Sequence, residues 1–588
     1  MDSKNLILAI VLSIAIMFGF NYAYELIYPT PPPPPPPTVE EQRPATAAAP
    51  PAPDRIDLPA PSSAPAAVGG APQPVAIADV RARALAGVPR IAIDTPRLHG
   101  SISLVGGRLD DLTLANYRET LDPVSPEIVL FSPAGGVGAY FAEVGWVSVD
   151  GTVTVPGPDT VWTADRDVLT PQTPVTLRWD NGAGLTFAKT ISVDADYLFT
   201  LTQQVENESD AAVALAPFAL ISRHGTPPVS GFYILHEGPL GVFDETLKEV
   251  DYDDLQQAGV MPQKTTGGWI GITDKYWLAA LVPDRDQTVN TRFVHQKRDR
   301  MDVYQVDFVG GVATVAPGER SVAESRLFAG AKEVRLLDRY QEQFGIARFD
   351  RAIDFGWFYF LTKPLFYFLL WIYGWVGNVG VAILLLTVVI KIAFFPLANK
   401  SYRAMSQMRK LQPEMLKLRE RFGDDKTRLN QEMMALYKRE KVNPASGCLP
   451  ILIQIPVFFA LFKVLFVTIE TRHAPFFGWI QDLSARDPTT IWNLFGLIPW
   501  DPSVYLPAFF HIGVWPLIMG ITMFLQQKLN PQPPDPMQAK IFMFLPLVFT
   551  VMLAQFPAGL VIYWTWNNLL SILQQWVIMR RAGVKIGS

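Results

Sequence analysis

Hydrophobic positions along this chain change their spacing in stages, and each stage predicts a different kind of element. Leu6 to Tyr24 is an almost unbroken apolar run preceded by Lys4. At about 20 residues it is long enough for a hydrocarbon core. No small-residue cleavage site follows closely, and Tyr22, Tyr24 and Tyr28 supply an interfacial belt, so residues 1–28 read as a retained anchor rather than a cleaved signal peptide. From residue 75 to 340 the period is two. Tyr197-Leu198-Phe199-Thr200-Leu201-Thr202 alternates large apolar with smaller or polar side chains. Ile191 and Val193 extend that phase upstream, and Val147, Val149, Val153, Val155, Val303, Val306 and Phe308 repeat the habit. Gly and Pro cut these runs at short spacing, which predicts a large antiparallel all-β sandwich.

Helical spacing takes over in residues 345–375. Phe349, Ala352, Ile353, Gly356, Trp357 and Phe360 share one face, opposite Asp350, Arg351 and Asp354. Lys363-Pro364 ends this predicted helix, and an aromatic stretch, Leu365 to Trp375, follows. An amphipathic helix beside a span lies in the membrane interface; packing against the β domain is the alternative. In residues 376–579 five apolar runs are long enough to span: Val376 to Leu397, Leu449 to Ile469, Leu506 to Gln527, Ile541 to Phe556 and Ala558 to Met579. With the anchor they give a polytopic α-helical membrane protein of six transmembrane helices. After the first run, Ala404, Met408, Leu411, Met415, Leu418 and Phe422 alternate spacings of four and three. Leu429, Met433 and Leu436 resume beyond the Gly423-Asp424-Asp425 turn, which predicts a helical hairpin over 398–445 with a short coiled-coil seam.

Charge matters here by position. The net charge of −5 over 588 residues gives no argument for a DNA partner. Lys and Arg crowd the hairpin, recur in the tail, residues 580–588, and flank the loop between the third and fourth of these runs as Lys528 and Lys540, whereas 470–505 holds only Arg472 and Arg486. Positive loops stay cytoplasmic, so both termini and the hairpin are expected in the cytoplasm. The β domain then lies on the opposite side of the membrane. Residues 29–74, with seven consecutive prolines at Pro31–Pro37, form a stiff linker. The single Cys448 excludes an intramolecular disulfide and a paired zinc motif. No P-loop, nucleotide fingerprint or metal-spaced His cluster occurs, so neither a cofactor nor an enzymatic activity is expected.

Lys391 is the informative position. It lies in Leu384-Leu385-Leu386-Thr387-Val388-Val389-Ile390-Lys391-Ile392-Ala393, apolar on both sides. A lysine within a span costs roughly 2.5–3.5 kcal/mol on insertion scales. Snorkelling to cytoplasmic headgroups is one way to offset that. The other, preferred here, is a hydrated cavity within the bundle, drawing on Thr387, Gln454, Thr522, Gln526, Gln555, Tyr563, Thr565, Asn567 and Asn568. A positive charge in a one-sided wet cavity suits a transient anionic guest. The hydrophilic tail of a client could enter part-way while its apolar segment passes into lipid, driven by burial of about 20 apolar residues.

The motifs Lys410-Leu411-Gln412-Pro413, Gly423-Asp424-Asp425-Lys426, Gln431-Glu432-Met433-Met434-Ala435-Leu436-Tyr437-Lys438, Val442-Asn443-Pro444 and Gly447-Cys448-Leu449-Pro450 resemble the YidC membrane-protein insertase family. So do Gln454-Ile455-Pro456-Val457-Phe458, Asp482-Leu483-Ser484, Asp535-Pro536-Met537-Gln538 and Phe556-Pro557-Ala558-Gly559-Leu560. The resemblance covers Phe349 to Met579 and matches the Gram-negative form, whose periplasmic domain is a β-supersandwich. It implies a membrane insertase and chaperone with a cytoplasm-open hydrophilic groove and one basic residue, here Lys391. It also implies nascent membrane-protein clients, membrane lipids, the Sec translocon, the ribosome and signal-recognition-particle targeting as partners. Client-contacting positions carried over are Thr387, Tyr563 and Trp564. Better-known members carry Arg at the Lys391 position, and Trp564 replaces their usual Tyr. The short tail, with three basic residues, argues against a strong ribosome contact through it. Two other classes remain: a small-molecule transporter or channel using Lys391 as its anion site, for which no internal repeat is visible, and an anchored periplasmic carbohydrate-binding or carbohydrate-modifying protein, which leaves the later spans unexplained.

Overall fold

The computed structural model describes residues 77–133, 138–229, 235–298, 300–423, 425–440, 442, 449–498, 500, 502, 506, 511–530 and 536–581. The expected anchor, the proline-rich linker, Asn443-Pro444, Gly447-Cys448, Asp535 and most of the basic tail lie outside the described residues.

Alternation of side chains across a pleated strand gives the first part of the chain its form. Leu185, Phe187, Ile191 and Val193 are buried along one strand, and Phe199, Leu201 and Val205 along the next. The strands form an eleven-stranded and a nine-stranded sheet. In the first, Val213–His224 lies between Tyr140–Ser148 and Met301–Val309, antiparallel to both. In the second, Leu198–Asn207 lies between Leu185–Val193 and Arg320–Ala331. Residues of both sheets, Tyr140, Trp146, Phe187 and Phe199 among them, share one apolar core. This is the all-β sandwich that the period-two pattern predicts.

Eleven helices are described, in chain order: α1 (Ile77–Ala86), α2 (Tyr252–Ala258), α3 (Val334–Phe344), α4 (Tyr359–Val376), α5 (Val379–Ala393), α6 (Phe395–Phe422), α7 (Lys426–Arg439), α8 (Leu449–Val467), α9 (Val514–Leu529), α10 (Pro536–Leu553) and α11 (Ala558–Arg581). The helix expected from Phe349 to Lys363 does not form. A single 3-10 turn, Phe349–Ala352, leads to an extended Ile353 and to Gly356 at φ +71°, and α4 begins only at Tyr359. Of the apolar positions that suggested a membrane face, Phe349, Ala352 and Ile353 are instead buried, Phe349 against the nine-stranded sheet, whereas Trp357 and Phe360 are exposed. Phe349 meets Trp269 and Phe328 edge to face at 5.5 and 5.4 Å, and Trp269 Nε1 donates to the Ala347 carbonyl at 3.0 Å. Pro364 does not stop a helix; it sits in the second turn of α4, where it forfeits one backbone bond. The aromatic face left open belongs to α4, on which Phe360, Trp371 and Trp375 are exposed.

Helix ends depart from the expected spans for local reasons. Gly377 at φ +67° closes α4, and Asn378 caps α5 by accepting from the Val381 amide at 3.0 Å. The run expected to continue to Leu397 breaks at Phe394, because Pro396 has no amide for the carbonyl one turn back and fits only the first turn of a new helix. Taken together α5 and α6 have the length and composition to cross a membrane, with a 69° bend between them. Among the described residues no single helix is long and apolar enough to do so. Within the run expected from Leu506, the described helix begins at Val514, where the amides of Val514 and Trp515 are taken by Thr489 Oγ1 and Asp487 Oδ2 at 3.0 and 2.9 Å. The run expected from Ile541 starts earlier, at Pro536.

α6 and α7 pair through Leu411, Met415 and Leu436, with Met408, Leu418, Met433 and Tyr437 packed around them. Asp425 caps α7 through the Arg428 amide at 3.0 Å. The seam therefore follows the spacing of apolar positions in the sequence. The sandwich is joined to the helices by ion pairs: Lys363 to Asp338 and Asp350 at 2.7 and 2.6 Å, and Lys463 to Asp354 at 2.6 Å.

Candidate functional site

Polar residues recur on α11 at helical spacing: Tyr563, Asn567, Ser571 and Gln574 lie along one stripe, which turns toward α5, α6 and α8. Between these helices is a cleft enclosing about 570 Å³ including its open mouth. Thr387, Ile390 and Lys391 of α5, Gln454 and Val457 of α8, and Tyr563, Asn567 and Gln574 of α11 line it. Phe394, Leu397, Ala398 and Tyr402 border it at the bend from α5 into α6. The Pro396 break thus removes the wall that a straight helix would have built and places the cleft beside the root of the hairpin.

Lys391 lies in the last turn of α5, where an ammonium also meets the negative end of the helix dipole. Its Nζ donates to Ser571 Oγ at 2.7 Å, and Ser571 donates onward to the Asn567 carbonyl at 2.8 Å. Among the described residues no carboxylate lines the cleft. Gln454 Nε2 donates to Asn567 Oδ1 at 2.8 Å, which ties α8 to α11 at the cleft. Thr387 spends its hydroxyl proton on the Ile383 carbonyl at 2.7 Å and is no partner for the lysine. Gln574 Nε2 is buried with no hydrogen-bond partner among the described residues. An ammonium has three donor hydrogens; with one engaged by Ser571, the cleft keeps a surplus of donors and suits a guest rich in acceptors.

The structure therefore brings together Lys391, Thr387, Gln454, Tyr563 and Asn567 among the candidates read from sequence. Thr522, Gln526 and Trp564 do not line the cleft. Thr522 is buried between α9 and α11, donating to the Met519 carbonyl and accepting from Asn568 at 3.2 Å. Gln526 is half-buried on α9. Trp564, one residue on from Tyr563 and so rotated about 100° around α11, packs between Phe458 and Phe549, with ring centroids at 4.7 and 6.1 Å. Ser571, Tyr402 and Gln574 were not among the sequence candidates. The spacing of four from Tyr563 to Asn567 to Ser571 was the available signal. Among the described residues no group of His, Cys, Asp and Glu is arranged to hold a metal ion.

The family model described as the YidC periplasmic domain matches residues 90–368, and that of the 60Kd inner membrane protein matches residues 371–585. A protein of Beijerinckia indica named membrane protein insertase YidC is 52% identical over 595 residues, covering 100% of this chain and 97% of its own length. One of the same name from Bradyrhizobium diazoefficiens is 50% identical over 604 residues, again covering 100% and 97%. A crystal structure of an active YidC insertase aligns over 82% of this chain and 92% of its own at 18% identity, with a TM-score of 0.33.

Proposed function

This chain belongs to the YidC family of membrane protein insertases, bacterial inner-membrane proteins with a periplasmic domain, and from that premise we propose that the Lys391 cleft is the groove through which its clients enter the bilayer. The observation that carries this reading is a cleft holding the Lys391 ammonium, with no carboxylate in its lining among the described residues, bordered by the root of the basic hairpin. In this reading the hairpin and both termini are cytoplasmic, so the cleft opens to the cytoplasm. α5 with the start of α6, then α8, α9, α10 and α11, together with the N-terminal anchor, supply six spans, the shorter helices relying on local thinning of the bilayer. The exposed aromatic face of α4 lies in the periplasmic interface, where Trp and Tyr partition well.

A client's polar tail enters the cleft, attracted by Lys391 and hydrogen-bonded by it and by Gln574. Its apolar segment passes along α5 and α8 into lipid. Burial of that segment drives the step, so no fuel and no enzymatic chemistry is required. Thr387, Tyr563 and Asn567 line the path; Trp564 supports it from behind through Phe458. The Sec translocon, the ribosome and signal-recognition-particle targeting are partners that family membership suggests. A transporter using Lys391 as an anion site would draw on the same donors; the insertase family to which the chain belongs favours a client tail as the guest.

Photocrosslinking tests the path. A photoreactive amino acid at Val457, which lines the cleft, is expected to capture a stalled single-span client, whereas one at Gln526 captures far less. Equal capture at the two positions would remove the cleft from the client's route.

A further inference from the structure

The hydroxyl that receives Lys391 has a fixed direction. Ser571 is buried, with 2% of its surface exposed, and its own proton is committed to the Asn567 carbonyl one turn back at 2.8 Å. Its remaining lone pairs therefore face the ammonium, 2.7 Å away. Tyr402, near the start of α6, borders the same cleft. Lysine is a flexible four-carbon stem with a point charge, whereas arginine carries a planar fork that makes two contacts at once. Lys391 is also only a few residues from the open bend at Phe394, so its shortest way to water leads out of the cleft.

We propose that Ser571 is a positioning residue: by accepting the Lys391 ammonium it holds the charge inside the cleft, facing client tails that carry carboxylates. The inference rests on the groove reading above and adds to it a charge-selective role for a residue on another helix. One ammonium hydrogen goes to Ser571 and the others are left for the client, beside the unpartnered Gln574 Nε2. With no carboxylate in the lining, an acidic tail meets no repulsion. Without Ser571 the ammonium would turn toward the cytoplasmic headgroups, and the cleft would lose its preference for acidic tails while keeping its shape.

The test uses the full-length protein in proteoliposomes and a short single-span client in two forms, one with Asp and Glu in its translocated tail and one with Asn and Gln there. Ser571→Ala is expected to slow insertion of the acidic form roughly tenfold, the weight of one hydrogen bond to a charged group, and to leave the amide form near the wild-type rate. Ser571→Thr keeps the hydroxyl and keeps the rate. Lys391→Arg in the Ser571→Ala background restores the acidic form, because the guanidinium makes its own second contact. Thr565, one of the polar groups expected in the cavity from sequence, does not line the cleft; Thr565→Val removes another buried α11 hydroxyl, bonded to the Val561 carbonyl at 2.8 Å, and is expected to change neither client. The assignment is overturned if Ser571→Ala matches wild type on both clients, or slows both equally, which would make Ser571 a packing residue. Lys391→Ala separates the levels: wild-type insertion by it removes the groove reading as well. Loss of insertion by Lys391→Ala with Ser571→Ala unaffected removes only the role of Ser571.

Discussion

Lys391 and Lys463 both sit on apolar helices, and their surroundings differ in kind. Lys463 of α8 reaches Asp354 at 2.6 Å, a partner 109 residues away in sequence, so its charge is paired at the joint with the sandwich. Lys391 meets a serine hydroxyl and no carboxylate. Sequence singled out Lys391 because every residue near it is apolar, but no spacing rule reveals a pairing as distant as Lys463 with Asp354. The other informative single residue is Glu470, just beyond α8. One oxygen accepts the Val334 amide at 3.3 Å, and the other is buried with no partner among the described residues. Burial pushes its carboxyl up from 4.5 to about 7, against the opposing pull of the Glu470 and Val334 amides. A raised carboxyl stabilises the folded joint fully below its unfolded value, and that stabilisation is lost as pH rises through the folded one. Melting temperature is therefore expected to fall as pH is raised from 4.5 to 7, and Glu470→Gln, neutral throughout, should flatten that slope. An unchanged slope in the variant would show that the pH response originates elsewhere.

Among the elements, strands and hairpin were the most legible. Alternation survives in strands because both faces of a sheet have fixed environments, and the α6–α7 seam survives because Leu411, Met415 and Leu436 bury against one another within the hairpin's own cluster. The helix expected over 349–363 was illegible for a physical reason. An apolar stripe states that a face is suited to burial, not against what; Trp269 and Phe328 of the sheet take Phe349, while Trp357 and Phe360 stay exposed. Span ends were equally hidden, since the caps at Val514 and Trp515 come from Thr489 and Asp487 in a preceding loop. The packing of α9 on α10 turns on one small residue. A Cβ at Gly520 would lie 2.1 Å from Thr550 Oγ1, which is itself held by the Pro546 carbonyl at 2.7 Å. Gly520→Val is expected to destabilise the protein by about 1–3 kcal/mol, as overpacking does, with Thr550→Ala recovering part of the loss. Thermal unfolding of the two variants in detergent decides it; no loss in Gly520→Val would mean the helices are free to separate.

At the scale of the molecule, a rigid sandwich and a short-helixed bundle are joined by the Lys363 and Lys463 ion pairs and by Glu470. Which candidates share the cleft followed from where each helix turns, and that depended on tertiary packing: Tyr563 and Asn567 face it, whereas Trp564 and Thr522 are directed to other contacts. The account stands or falls on whether the charge in that cleft serves insertion. The direct measurement is rescue of an insertase-depleted bacterium by Lys391→Arg, Lys391→Ala and Lys391→Glu, reading protease protection of a short client with an acidic tail at matched protein levels. Arginine should rescue, while alanine and glutamate leave the client uninserted. Insertion by Lys391→Ala as complete as that of the wild type would contradict the account and leave Lys391 a lysine held in a cleft that clients do not use.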